Sequence, residues 1–132
     1  MLSTWSPRAL AALRIMAGLL FLEHGLIKLI GFPGPGPETL APMLLVAGLI
    51  ETFGGLLLVL GLFTRAAAFL SSGLMAAAYF ISHAGGGFWP SANGGETAIL
   101  YCFVFLYIFV AGPGAWALDN RRNGTSGLTT HA

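Results

Sequence analysis

The sequence predicts an all-α integral membrane protein built as a bundle of four spanning helices. Of its 132 residues, 56% are hydrophobic and only 8% are charged, whereas a soluble domain carries roughly 25% charged residues. A chain this small could not hide so much apolar surface from water. Its apolar stretches are separated by short runs rich in Gly and Pro, which mark turns. The net charge of +1 gives no indication of nucleic-acid binding.

We expect a single transmembrane domain over residues 1–122, followed by a polar, disordered tail over residues 123–132. Hydrophobic runs and the turns between them set the limits of the spans. The four helices are expected at about residues 7–30, 41–62, 66–82 and 96–112.

The first helix is predicted to begin at Ser6-Pro7, because serine is a favoured N-cap and proline fits the first helical position. Its apolar run is too long for a signal peptide and is followed by a Gly-Pro repeat instead of a cleavage site, so we expect no cleavage. Phe63-Thr64-Arg65 is a very short turn before the third helix. The Gly-rich stretch 83–95 contains Phe88-Trp89-Pro90 and is typical of an interfacial loop with an aromatic anchor.

The fourth helix is predicted to begin near Glu96, because a carboxylate is favourable at a helix N-terminus. Pro113 lies between two glycines and is expected either to kink this helix or to end it early. The residues from Trp116 to Arg122 then form an interfacial segment.

Four spans place both termini on one side of the membrane, and the charges indicate which side. The opposite loops carry Glu38, His83 and Glu96, with Lys28 as the nearby basic residue. The positive-inside rule therefore predicts cytoplasmic N- and C-termini. The arginines at this predicted cytoplasmic face are Arg8, Arg14, Arg65, Arg121 and Arg122.

Three ionisable residues, Glu23, His24 and Lys28, interrupt the apolar run of helix 1. A charge at the bilayer centre costs about 2.5–3.5 kcal/mol on insertion scales, so such residues usually face partners or a wet cavity. From the helical rise, Glu23 and His24 lie about 10 Å from the outer surface, and Glu51 of helix 2 lies about 15 Å from it. We therefore expect a polar pocket in the outer half of the bundle. Its rim is formed by Lys28, His83, Asn93 and Glu96.

Helical periodicity orients these residues. Glu23 points well away from Lys28 and needs another neighbour. On helix 3, Ser72, Tyr79 and His83 fall on one face. The residues sharing one side of helix 1 are Arg14, Ala17, Gly18, His24, Gly25 and Lys28, and those forming a stripe on helix 2 are Ala47, Gly48, Glu51, Gly54 and Gly55.

Each ionisable residue also has a purely structural interpretation. Glu51 stands among small residues, so an equally good interpretation is that its carboxyl hydrogen-bonds to a neighbouring helix and stabilises helix packing. For His24 and Lys28 the functional interpretation is favoured, because two cations one turn apart are costly unless an anion or a carboxylate faces them. His83 and Glu96 suit solvated loop positions, and Glu23 suits either a protonated carboxyl or a contact with an oligomer partner.

Two sequence motifs, one in helix 1 and one that begins in helix 2, resemble those of a known protein family. Residues 14–28 read R-x-x-x-G-x-x-F-x-x-H-G-x-x-K, and residues 51–67 read E-x-x-G-G-x-x-L-x-x-G-x-x-T-R-x-A. In this order and spacing the chain resembles the DoxX family of small bacterial four-span membrane proteins, from helix 1 into helix 3. Glu23 departs from the motif, which has an apolar residue there. The resemblance implies structural motif positions for Arg14, Gly25, Gly54, Gly55 and Arg65.

The resemblance implies a bacterial inner-membrane location and a redox setting. Relatives include the small membrane subunit of an archaeal thiosulfate:quinone oxidoreductase, and others are linked to sulfurtransferase-like or superoxide dismutase partners. We therefore expect a quinone-binding or anchoring subunit of a membrane redox complex, an accessory more than an enzyme by itself. The candidates for ligand binding or proton relay are His24, Lys28, Glu51, Glu23, His83 and Glu96.

The alternative is a non-enzymatic module that packs as a homo-oligomer, binds a partner or passes a small solute. The single Cys102 cannot form an internal thiol relay, and the sequence predicts no metal site. Haem bound between His24 and His83 is disfavoured because the two residues lie at different expected depths.

Overall fold

The computed structural model describes residues 2–122, and every regular element within them is helical. The prediction of an all-α chain is confirmed. The predicted disordered tail, 123–132, lies outside the described residues. The helices are α1 (Ser6–Ile30), α2 (Pro42–Leu60), α3 (Thr64–Ala78), α4 (Pro90–Asn93), α5 (Glu96–Ala111) and α6 (Leu118–Arg122).

Three helices in the described part of the chain are long and apolar enough to cross a membrane: α1, α2 and the extended α3. Helix α3 continues through a π-helical turn (Tyr79–His83) and a 3-10 turn (Ala84–Gly86), so the helical run covers 23 residues. Helix α5 is equally apolar but has 16 residues, about 24 Å at the helical rise, against a hydrocarbon core of about 30 Å. The protein is thus a membrane protein with three to four apolar helices.

The helices form an incomplete ring. Helix α1 packs closely on α2, α2 packs on α3 and α3 packs on α5, whereas contacts between α1 and α5 are sparse. Phe21, Leu58, Phe105 and Ile108 are fully buried at the centre. Large apolar side chains cover the outer surface of every long helix, as expected for helices that face lipid. The α1–α5 side therefore has fewer close backbone approaches than the other three, and the rings of Phe21 and Phe105 meet across it 4.8 Å apart. We call the outer part of this side, at the exposed His24 and at Tyr101, the opening between α1 and α5.

Glycines set the ends of the helices. Gly31 and Gly61 adopt left-handed conformations, with φ of 69° and 70°, directly after α1 and α2, the C-terminal arrangement that glycine favours. Helix α5 ends at Ala111 and Gly112 has φ of 90°, so Pro113 follows a helix that has stopped and does not kink it. We use "the N-terminal end" for the end of the bundle where α1 begins, α2 ends and α6 lies.

Candidate functional site

The centre of the site is an ion pair between α1 and α2. Lys28 Nζ lies 2.7 Å from Glu51 Oε1, and the side chain of Glu51 is only 4% exposed whereas that of Lys28 is 24% exposed. Glu51 stands midway along α2, nine residues from either end. A buried carboxylate is costly unless a cation and hydrogen bonds compensate it. Lys28 supplies both, so this pair can hold a negative charge at the middle of a spanning helix.

The close approach of α1 to α2 makes this contact possible. A Cβ atom added at Gly25 would lie 2.5 Å from the Thr52 backbone nitrogen, and one added at Gly55 would lie 2.6 Å from the Leu22 backbone nitrogen. Real Cβ atoms are not found at such distances, so any larger residue would force the helices apart. Small residues at these positions allow the backbones to touch, as in tightly packed membrane helices.

His24 lies at the open side between α1 and α5. Its side chain is exposed, and its Nδ1 donates to the Leu20 carbonyl oxygen of the same helix at 2.8 Å. The proton of neutral His24 therefore sits on Nδ1, which leaves Nε2 as a hydrogen-bond acceptor. The ring of Tyr101 from α5 stands edge-on to the imidazole, with centroids 6.0 Å apart.

Tyr101 connects this open side to the core. Its ring stacks on Phe105 with centroids 5.5 Å apart and an interplanar angle of 15°, and it contacts Phe21 at 5.7 Å. An aromatic wall with a hydroxyl and an imidazole at its edge can therefore bind a flat, polar-edged ring.

Glu23 is exposed in the C-terminal half of α1 and has no hydrogen-bond partner within residues 2–122. Its helical position carries it away from Lys28, as the periodicity indicated. An ionisable side chain on the membrane-facing part of a span usually meets a partner or water.

The other two candidates, His83 and Glu96, have different surroundings. His83 Nδ1 lies 3.3 Å from the Asn93 carbonyl oxygen, and its ring is stacked near Tyr79. Asn93 also bonds the Tyr79 hydroxyl at 3.1 Å, so His83 belongs to a hydrogen-bonded loop. Glu96 is exposed in the first turn of α5. The structure pairs Lys28 with Glu51 and places His24 beside Tyr101, but it gives His83 and Glu96 no contact with any of these four residues.

Arg14 differs most from its expected place at the membrane face, because its side chain is fully buried. Its guanidinium donates to the carbonyl oxygens of Leu58 at 2.9 Å, Ala115 at 3.0 Å and Trp116 at 3.0 Å, and also to that of Pro113. Arg14 therefore joins α1 and the end of α2 to the segment that follows α5.

A second set of contacts fastens the end of α5 and the segment that follows it. Arg65 donates to the Phe109 and Val110 carbonyl oxygens, both at 2.8 Å, and so satisfies the end of α5. Asp119 accepts hydrogen bonds from the backbone N–H groups of Phe63 at 2.8 Å and Thr64 at 2.9 Å, so it caps the start of α3. Sequence reasoning missed Asp119, because an N-cap is normally sought just before its helix and this one lies 55 residues later.

The same two motifs that carry the ion pair and the buried arginine match a family model. The DoxX model matches residues 9–84, which is more than half of the chain and covers the first three long helices. The chain belongs to the DoxX family. The match ends before α5, so Tyr101 lies outside the matched region.

Two relatives extend the comparison over nearly the whole chain. A Haemophilus influenzae protein described as uncharacterized is 50% identical over 127 residues, which cover 91% of this chain and 95% of the relative. A Mycobacterium tuberculosis protein described as an uncharacterized membrane protein is 29% identical over 133 residues, covering 87% and 82% of the two chains. No solved structure matches this DoxX-family chain.

Proposed function

We propose that this DoxX-family protein binds a quinone or quinol at the open side between α1 and α5 and serves as the membrane subunit of a redox complex. The observation that carries the proposal is the pair of His24 and Tyr101 at this opening, next to the buried Lys28–Glu51 ion pair. When bound, a quinone would supply two-electron, two-proton redox chemistry.

The residues at the opening fit such a headgroup. Neutral His24 can accept a hydrogen bond from a quinol hydroxyl through Nε2, and protonated His24 can donate one to a quinone carbonyl. The Tyr101 hydroxyl can do either. The partly buried ring of Tyr101, which stacks on the buried Phe105, offers an apolar contact to the headgroup. Ligand sites combine apolar walls with a few directed polar groups in this way.

The ion pair gives the opening its electrostatic character. Lys28 balances the negative charge of Glu51, so the buried carboxylate is compensated within the pair. Lys28 remains partly exposed and can stabilise an anionic headgroup near the α1 end of the opening. Glu51 therefore positions Lys28, while His24 and Tyr101 touch the ligand.

The proposal includes a topology and partners. We propose that α5 makes a fourth, short crossing, that both termini are cytoplasmic, and that the protein lies in the bacterial inner membrane. The arginines at the N-terminal end support this orientation. The sequence has one cysteine, so the chain cannot cycle an internal thiol pair. We propose that a sulfurtransferase-like or superoxide dismutase partner exchanges electrons with the bound quinone.

The test is a titration of the purified protein with a short-tailed ubiquinone analogue, in which binding is measured as the rise in the thermal denaturation temperature. Tyr101→Phe removes one hydroxyl and keeps the ring, and we expect it to weaken binding roughly two- to tenfold, the value of one hydrogen bond. Tyr107→Phe on the same helix is the matched control, because Tyr107 is 57% exposed and should have no effect. Equal binding by wild type, both variants and His24→Gln would refute the site.

A second function is favoured by Glu23. Its exposed, unpaired position on a spanning helix suits a homo-oligomer in which Glu23 faces a second copy, with no chemistry involved. Cysteines introduced beside Glu23 in a Cys102→Ser background would crosslink in such an oligomer, and Glu23→Gln would reduce the crosslinking. A monomer at every detergent and lipid ratio would exclude this function.

A further inference from the structure

A groove at the N-terminal end of the bundle lies apart from the proposed quinone site. It has a volume of about 520 Å³ and is formed by the end of α2 and by α6. This volume is within the range of ligand sites, about 300–1,000 Å³. Its walls are apolar on the α2 side, at Val59 and Leu60, and its other side carries Trp116 and Arg121.

We propose that this groove binds one anionic phospholipid, with the lipid phosphate on Arg121 and an acyl chain against Val59 and Leu60. Arg121 is exposed and has no hydrogen bond or ion pair within residues 2–122, so its charge is available. Trp116 is 65% exposed beside it, and tryptophan favours the level of the lipid headgroups. A cation, an exposed aromatic ring and an apolar wall thus line one groove, and these are the contacts that the phosphate, the headgroup level and an acyl chain of a phospholipid need.

The polar side of the groove is held in place by the rest of the fold. The Asp119 backbone N–H donates to the Gly61 carbonyl oxygen at 2.8 Å, and its carboxylate caps α3. Asn120 donates to the Gly114 carbonyl oxygen at 2.9 Å, and Arg14 holds the Trp116 carbonyl oxygen. Arg121 therefore projects from a fastened helix, which distinguishes this groove from a mobile basic tail that meets any anionic surface.

Charge complementarity selects the occupant. Basic side chains near the surface attract anionic lipids, and each contributes about 1 kcal/mol, which corresponds to about a fivefold change in affinity. A zwitterionic lipid lacks the net charge that this attraction needs. A water-soluble phosphate would satisfy Arg121 but would leave the apolar wall at Val59 and Leu60 unused.

The test measures lipid binding to the full chain in detergent by native mass spectrometry, with phosphatidylglycerol, phosphatidylcholine and the deacylated headgroup glycerophosphoglycerol as probes. We expect at least a fivefold preference for phosphatidylglycerol over phosphatidylcholine. Arg121→Gln should abolish this preference and Arg121→Lys should retain most of it. Leu60→Trp, which narrows the groove and keeps the arginine, should weaken binding of both lipids.

Arg8→Gln is the matched control, because Arg8 is an exposed arginine at the same end of the bundle that lies over the Trp5 ring at 4.8 Å. Its preference for phosphatidylglycerol should equal that of the wild type. Equal binding of the two lipids, or an equal loss in Arg8→Gln and Arg121→Gln, would overturn the site. Competition by glycerophosphoglycerol as strong as by the intact lipid would show a free-phosphate site and would also overturn the proposal. Quinone binding plays no part in any of these readouts.

Discussion

Replacing Arg14 by Met should destabilise the protein more than any surface change, because one buried guanidinium fastens three separate segments. It donates four hydrogen bonds to carbonyl oxygens, at Leu58, Pro113, Ala115 and Trp116. A hydrogen bond to a charged group contributes about 1.5–3 kcal/mol. Removing the guanidinium takes this donor from all four carbonyls, although Leu58 keeps the backbone N–H of Gly61 at 3.2 Å, and it also removes the cost of burying a charge. We therefore expect Arg14→Met to lower the free energy of unfolding by about 3–5 kcal/mol.

The assay combines denaturation in detergent with thiol labelling of the fastened segment. Ala117 is 6% exposed, so a cysteine placed there in a Cys102→Ser background should react slowly with a maleimide when Arg14 is present. Arg14→Met should speed this labelling at least tenfold, because the segment after α5 loses its anchor. Arg8→Met should leave both the stability and the labelling rate unchanged. If Arg14→Met behaves like Arg8→Met in both measurements, the Arg14 guanidinium does not hold this segment.

Three further predictions concern the helix contacts. Lys28→Met should cost about 3–5 kcal/mol by leaving the Glu51 carboxylate buried and unpaired, and the double variant Lys28→Met/Glu51→Leu should recover most of the loss in a double-mutant cycle of unfolding free energies. Gly25→Ala should destabilise the protein, because the added Cβ forces α1 away from α2. At Gly73 an added Cβ has no neighbour within 4 Å, so Gly73→Ala should be neutral or should stabilise the protein by up to about 1 kcal/mol. Thermal denaturation of the two variants distinguishes these outcomes. Asp119→Ala should cost about 0.5–2 kcal/mol by uncapping α3, and unchanged stability would show that the cap is dispensable.

The positions of the helices, and the residues that lie at similar depths in them, can be predicted from the local sequence pattern. Apolar runs and glycine breaks indicated the helical segments. The helical rise placed Glu23 and His24 at a depth compatible with Glu51 and put Lys28 on the rim, whereas the structure pairs Glu51 with Lys28. The small residues along α1 and α2 indicated a close approach, which the Gly25 and Gly55 contacts display. These features depend on neighbours within a few turns, so one sequence contains enough information for them.

The roles of Arg14 and Asp119 depend on contacts between distant segments. Arg14 bonds carbonyls up to 102 residues away, which become neighbours only because the chain turns back after Ala111. His24 shows a related limit. Helical periodicity grouped it with Gly25 and Lys28, but α2 contacts the Gly25 edge and leaves His24 at the opening toward α5. Which edge of a helical face meets a neighbour is decided by packing and not by periodicity.

Binding of a quinone between α1 and α5 is measured by the quinone content of an organic extract of protein purified from its native membrane. We expect close to one quinone per chain in the wild type and in Tyr107→Phe, and a marked loss in Tyr101→Phe prepared identically. Quinone absent from all three proteins, or present equally in all three, would contradict binding at the opening between α1 and α5.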